Sequence, residues 1–515
     1  MPPVGISPID IAIIVVYLLL TIGIGMWVAR KSMSLSDYLV GGRSLPWYAL
    51  LGSIIATETS AVTFLSAPGL SFQPGGNMSF LQIALGFVIG RTLTAFWLLP
   101  KFFSGSRFSA YEVLKTRFGG STQKLASVLF LINRIFADGL RLYLTSIVLS
   151  ELLQCSMTLA LVVMTAITLI YSVSGGIKSI VWNDCLQLLI YLGGALFALW
   201  WIAQSCDGTW NVWMTRAWEQ GKFQWLDLTP SLVSENLWLG MLGGAFLSLA
   251  SHGTDQMMVQ RYLSAKSVGH ARTALLLCGP AVFLQFFLFL MVGLGLWAFY
   301  QVNPPEVALT KDRAFAYFII HEMPVGARGL TLAAVLSVAM STLSSSVGSA
   351  ASTFITDLWP YRAFRSGTDN SADNADLPES TDLSWISKIA TLVFGLLQLL
   401  VALLVAWIPQ LQSQSIITQV LTLSGFASGI VLGIFILTLT RRSISPLSMA
   451  IAMLLAILVT GVCVFAPKDA IWKINSHASA VVSALTTATT AFLLQIILER
   501  YCPTLVHQPS HPTKT

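Results

Sequence analysis

Charge is scarce in this chain. Only 10% of its 515 residues are Asp, Glu, Lys or Arg, against 55% hydrophobic residues and a mean hydropathy of +0.74. A soluble domain carries roughly 25% charged residues, so a soluble protein is excluded and a polytopic membrane protein is expected. Dense basic runs are missing as well. The net charge of +6 is spread over many loops, which excludes a nucleic-acid footprint and reads as a signal for membrane orientation. The six cysteines (Cys155, Cys185, Cys206, Cys278, Cys463, Cys502) show no CxxC and no Cys/His metal spacing. That excludes a disulfide framework and a zinc site. No Lys or Arg precedes the first apolar run, near 11–28, whereas Arg30 and Lys31 follow it. A signal peptide needs its positive charge first, so this run is expected to stay as a helix.

What fills the sequence instead is apolar runs of membrane length, about thirteen of them. They cover 8–29, 47–70, 78–100, 125–152, 157–174, 180–204, 237–260, 273–300, 326–357, 384–408, 412–438, 445–466 and 477–498. The fold class is therefore all-α, a single membrane domain. An odd count puts the termini on opposite sides. Arg30, Lys31, Arg43, Arg107, Lys115, Arg117 and many later basic residues share one side. The richer side is cytoplasmic, which predicts a multi-pass protein of the cell membrane with its N-terminus outside and its C-terminus inside. A tryptophan-rich segment over 207–236 is expected outside as an interfacial helix, and a polar, acidic tether over 365–382 inside. Residues 501–515 form a short cytoplasmic tail, too short for a further domain.

Two of these runs are unusually polar. The run from 331 to 357 carries Ser337, Ser341, Thr342, Ser344, Ser345, Ser346, Ser349 and Ser352. The second run holds Thr57, Glu58, Thr59, Ser60 and Thr63 shortly before Pro68-Gly69. Such a segment at mid-membrane depth predicts a broken helix whose carbonyls are released to bind something; the alternative is a hydroxyl-rich helix interface. Converging hydroxyls and freed carbonyls with a distant carboxylate, Asp184, supply the hard oxygens that Na⁺ prefers. On the fourth run Arg134, Asp138 and Arg141 lie on one stripe. With Glu58 they sum to zero, which allows either a structural network or anion recognition. Arg91 is expected to snorkel towards the cytoplasm. Ser251, His252 and Asp255 resemble a triad in composition, but close placement on one helix splays them apart and no oxyanion motif accompanies them.

The chain resembles the sodium/solute symporters over nearly its whole length. The resemblance rests on Ala56-Thr57 with Ser60 and Pro68, on Ser174-Gly175-Gly176-Ile177 leading to Val181-Trp182-Asn183-Asp184 and Gln187, on the run from Asp255 to Arg261, and on the run from Ser341 to Ser346. It implies a LeuT-type core of two inverted five-helix repeats over 47–438, one extra helix before it at 8–29 and two after it over 445–498. It also implies a shared sodium site made by carbonyls of Ala56, Thr59 and Val338 with hydroxyls of Ser341 and Thr342. A second sodium, found in some members, would use Asp184, Ser341, Ser344 and Ser345. The family's pocket-lining spans nominate Glu58, Ser60, Thr63 and Gln82 for the solute, joined by Arg134 and Arg141. The sialic-acid transporters of the family place an arginine where Ala137 stands here and a threonine where Glu58 stands, which counts against that solute.

The expected function is thus sodium-coupled import of a small polar organic solute by alternating access, without catalysis. A sugar or sugar acid is favoured from Gln82, Ser60 and the charged stripe; monocarboxylates, amino acids and vitamins are the alternatives. The expected partners are the solute, Na⁺ and membrane lipid, with no nucleic acid and with the monomer as the working unit. A transporter-like sensor, a channel and a membrane enzyme are the rivals from other classes.

Overall fold

The computed structural model describes residues 6–30, 34–105, 107–206, 208–229, 236–305, 307–311, 313–359, 381–408, 411, 414–440, 442–466 and 479–501. Among them all regular structure is helical, with one isolated bridge between Leu45 and Ala265. In chain order the main helices are α1 (Pro8–Ala29), α2 (Trp47–Glu58), α3 (Ala61–Phe72) and α4 (Phe80–Leu93). Next come α5 (Gly120–Asn133), which continues through a π turn (Arg134–Asp138) into α6 (Gly139–Leu153), and α7 (Met157–Gln204). Then follow α8 (Leu237–Thr254), α9 (Gln256–Leu263), α10 (Val268–Val302) and α11 (Ala327–Thr353). The last four are α12 (Thr381–Trp407), α13 (Gln414–Leu437), α14 (Pro446–Phe465) and α15 (Ser479–Tyr501). Eight helices are each long and apolar enough to cross a membrane, and the bent pair α2–α3 makes a ninth span among the described residues. The 207–236 segment does contain a short helix, Trp210–Glu219. The tether expected over 365–382 and the tail after Tyr501 lie outside the described residues, apart from the start of α12.

The two runs expected at 157–174 and 180–204 join into one 48-residue element, α7. At 1.5 Å per residue it is about 72 Å long, more than twice the hydrocarbon thickness, so it cannot run straight through one bilayer. The direction changes at Gly176, with φ 54° and ψ −148°. A Cβ there would meet the Tyr38 carbonyl oxygen at 2.5 Å, so only glycine fits.

The break between α2 and α3 is the feature that positions the site. Thr59 and Ser60 are extended (ψ 121° and 158°), and the two helices meet at 71°. In an unbroken helix the Thr63 N–H would bond the Thr59 carbonyl. Here it is taken by Ser60 Oγ at 3.1 Å, the usual N-cap arrangement. The Thr59 carbonyl is thereby released from the ladder, and so is that of Ala56, whose normal donor is the Ser60 N–H. α11 faces this break. Its span is 89% buried, so most of its hydroxyls face protein and not lipid.

Candidate ion and solute site

Five oxygens converge where α11 passes the break. Ser341 Oγ lies 3.0 Å from the carbonyl oxygens of both Ala56 and Val338. Thr342 Oγ1 lies 3.3 Å from the Thr59 carbonyl and 3.2 Å from that of Val338. Two hydroxyl hydrogens thus face four carbonyl contacts, and lone pairs remain in surplus. A bare cation would satisfy that surplus better than the hydroxyls do, so the donor set fits a sodium ion carried as substrate. The Thr59 side chain is held aside. Its Oγ1 accepts from Gln285 Nε2 at 2.7 Å, and Tyr191 O–H donates to Gln285 Oε1 at 2.8 Å. This second layer aims the Thr59 carbonyl at Thr342. No group of three or more His, Cys, Asp or Glu converges to hold a metal among the described residues.

A cavity of about 490 Å³ opens beside it, within the range of small-molecule sites. Glu58, Ser60, Thr63, Arg134 and Arg141 all line it, as the sequence predicts, and so does Thr342 of the ion site. One residue therefore belongs to both. Asn133, Ser251, His252 and Asp255 line the cavity too. Gln82 does not belong to this lining. Its Oε1 accepts the Asp227 N–H at 2.9 Å and its amide faces the Ser79 carbonyl, so it anchors the segment before α8 and is corrected from a solute ligand to a loop anchor.

The charges pair differently from the stripe read in the sequence. Arg91 is fully buried and does not snorkel; it donates to both carboxylate oxygens of Glu58. Arg134 pairs with Asp138 at 3.0 Å and with Asp255. Arg141 pairs with the other oxygen of Asp138, whose first oxygen also accepts from Ser346. Three guanidiniums thus balance three carboxylates. Arg141 is the most exposed of them, its side chain 34% accessible against 23% for Glu58 and 7% for Arg134 and Asp255. His252 turns its Nδ1 to the Tyr262 hydroxyl at 3.0 Å, and Ser251 donates to the Ser248 carbonyl, so the two are not paired for catalysis.

Around Asp184 the residues expected to hold a second sodium have other partners. Asp184 and Ser345 are bridged by the Arg261 guanidinium. Ser344 donates to the Ser341 carbonyl instead, and the Ser341 hydroxyl belongs to the first site. Arg91, Asp255 and Arg261 are the residues that sequence reasoning missed. Asp255 and Arg261 bound a run that carries the family resemblance, Asp255 resembles a triad member besides, and nothing local tells which charges will meet.

Comparison with known proteins places the chain in a family. The family model described as the sodium:solute symporter family matches residues 38–446. The chain is 25% identical to a sodium/sialic acid symporter of Proteus mirabilis, across 87% of this chain and 88% of that protein. It is 27% identical to sodium-coupled monocarboxylate transporter 2 of Danio rerio, across 80% of this chain and 64% of that protein. A substrate-bound, outward-open structure of a Na⁺-coupled sialic acid symporter aligns with a TM-score of 0.82 at 23% identity, covering 95% of this chain and 98% of that one. At that identity the match establishes a common fold.

Proposed function

Because this chain belongs to the sodium:solute symporter family, a family of sodium-coupled membrane transporters and not of enzymes, we propose that it imports a small polyhydroxylated carboxylate, a sugar acid, with sodium. The observation that carries this reading is Thr342, whose hydroxyl stands in the five-oxygen cluster and whose side chain lines the cavity. Ion and solute then occupy adjoining space, so that filling one stabilises the other. Ala56, Thr59, Val338, Ser341 and Thr342 hold the ion.

Arg141 is the group we assign to the solute carboxylate. It is the most exposed charge in the cavity, and Asp138 keeps Arg134 and Ser346 as partners when Arg141 turns away. Glu58, Ser60 and Thr63 accept hydrogen bonds from hydroxyls, acceptors that a polyol needs. Arg134, tied to two carboxylates, shapes the electrostatics of the wall instead of reaching out. The two helices that meet at the break rock against their surroundings to open the cavity to each side in turn. The N-terminus lies outside and the C-terminus inside, and the monomer in lipid is the working unit.

The test is uptake of a labelled sugar acid into proteoliposomes. Accumulation driven by an inward sodium gradient, and absent with potassium, is expected. Equal uptake under both gradients would overturn sodium coupling; sodium-driven uptake of uncharged sugars alone would overturn the carboxylate.

A further inference from the structure

Arg261 sits in α9, one and a half turns beyond the break at Asp255, and is wholly buried. Its donors reach four helices. Nε donates to Ser53 Oγ of α2 at 2.7 Å and Nη1 to the Met257 carbonyl at 2.6 Å. Nη2 faces three oxygens at once: Thr57 Oγ1 at 2.5 Å, Asp184 Oδ2 at 2.9 Å, and Ser345 Oγ. Ser53 in turn donates to the same Asp184 oxygen at 2.5 Å. Nη2 carries two hydrogens for three acceptors, so this corner of the guanidinium is surrounded by oxygen as a small cation would be.

We propose that Arg261 is a tethered cation standing in for a second transported sodium, so that this chain couples one sodium ion to each solute. The proposal rests on the sodium symport argued above. A second ion needs a net negative charge to offset its dehydration in a buried site. The charge of Asp184 is already met by a guanidinium that is tethered to the chain and cannot leave with the solute. Of the four oxygens that would form such a site, Ser345 Oγ is engaged by Arg261, Ser344 Oγ turns to its own helix, and Ser341 Oγ serves the other ion. The residues are present in the sequence but do not fit the ion. A guanidinium that never leaves contributes nothing to the charge moved per cycle, so the concentrating power is that of a single ion.

Sodium counting tests this. Purified protein dialysed against ²²Na⁺ is expected to bind one ion per chain. Two ions in the wild type, falling to one in Asp184→Asn, would overturn the proposal and place the second ion on Asp184 Oδ1, which is buried without a hydrogen-bond partner. Zero ions would overturn the first site as well, and with it the functional reading. Arg261→Ala strands Asp184 among hydroxyls, and the folded variant is expected to gain one bound ion and a steeper sodium dependence of its melting temperature. An unchanged count in that variant overturns the proposal. The paired variant Asp184→Asn with Arg261→Gln removes both charges together, guards against misfolding of the single variant, and is expected to keep one ion; loss of binding there would overturn the proposal.

Discussion

Glu58, the last residue of α2, is ion-paired with Arg91 of α4 across the helix break, and the arginine is buried while the carboxylate looks into the solute cavity. The pair ties the first half of the broken helix to its neighbour. His252 stands beside both partners, 3.3 Å from Arg91 Nη2 and 3.5 Å from Glu58. A cavity wall is thus made of charges that satisfy each other, and Arg141 is left as the cation with room to bind.

Glu58→Gln strands Arg91 and is expected to lower stability by about 3–5 kcal/mol, the usual cost of a broken buried pair. Arg91→Gln in the same protein should recover part of that loss, whereas Arg141→Gln should not. A double-mutant cycle on melting in detergent checks this, and simple additivity for Glu58 and Arg91 would show them uncoupled.

Ser341→Ala together with Thr342→Ala leaves three carbonyls for the ion. Sodium-driven uptake is expected to disappear, or the half-saturating sodium concentration to rise by at least about tenfold, equivalent to about 1.4 kcal/mol. Undiminished uptake at limiting sodium would remove the ion from this cluster.

Arg141→Gln takes away the exposed cation while Asp138 keeps Arg134 and Ser346. The solute KM is expected to rise about tenfold or more, in line with about 1.5–3 kcal/mol for a charged hydrogen bond, with the sodium dependence little changed. An unchanged KM with altered sodium affinity would move Arg141 from the solute to the ion.

Gln82→Ala is expected to leave the solute KM within about twofold and to cost about 1 kcal/mol of stability, since it removes the acceptor for the Asp227 N–H. A large rise in KM without loss of stability would return Gln82 to the solute site.

Gly176→Ala forces a side chain onto φ 54° and against the Tyr38 carbonyl. The strain alone is about 1–3 kcal/mol, and reduced expression or a lower melting temperature is the expected readout. Normal stability would mean that the turn in α7 can be remade.

The sequence by itself determined the membrane class and most of the helices, while the family resemblance named the five oxygens that meet at the break. Apolar runs of bilayer length leave a chain little choice but helix. A hydroxyl-rich helix whose side chains need partners was legible over 331–357, and so was a break near Thr59-Ser60, because polar residues cluster there at mid-membrane depth. Only the tertiary structure decided which charges meet. Glu58 could have paired with Arg91, Arg134 or Arg141, and Asp184 with a sodium ion or with Arg261, on the same linear evidence. Side-chain amides and ions select partners by distance and direction across helices far apart in sequence, and those distances exist only once the bundle has packed. Gln82 shows the same limit, a polar group in a span that read as a ligand and packs as an anchor.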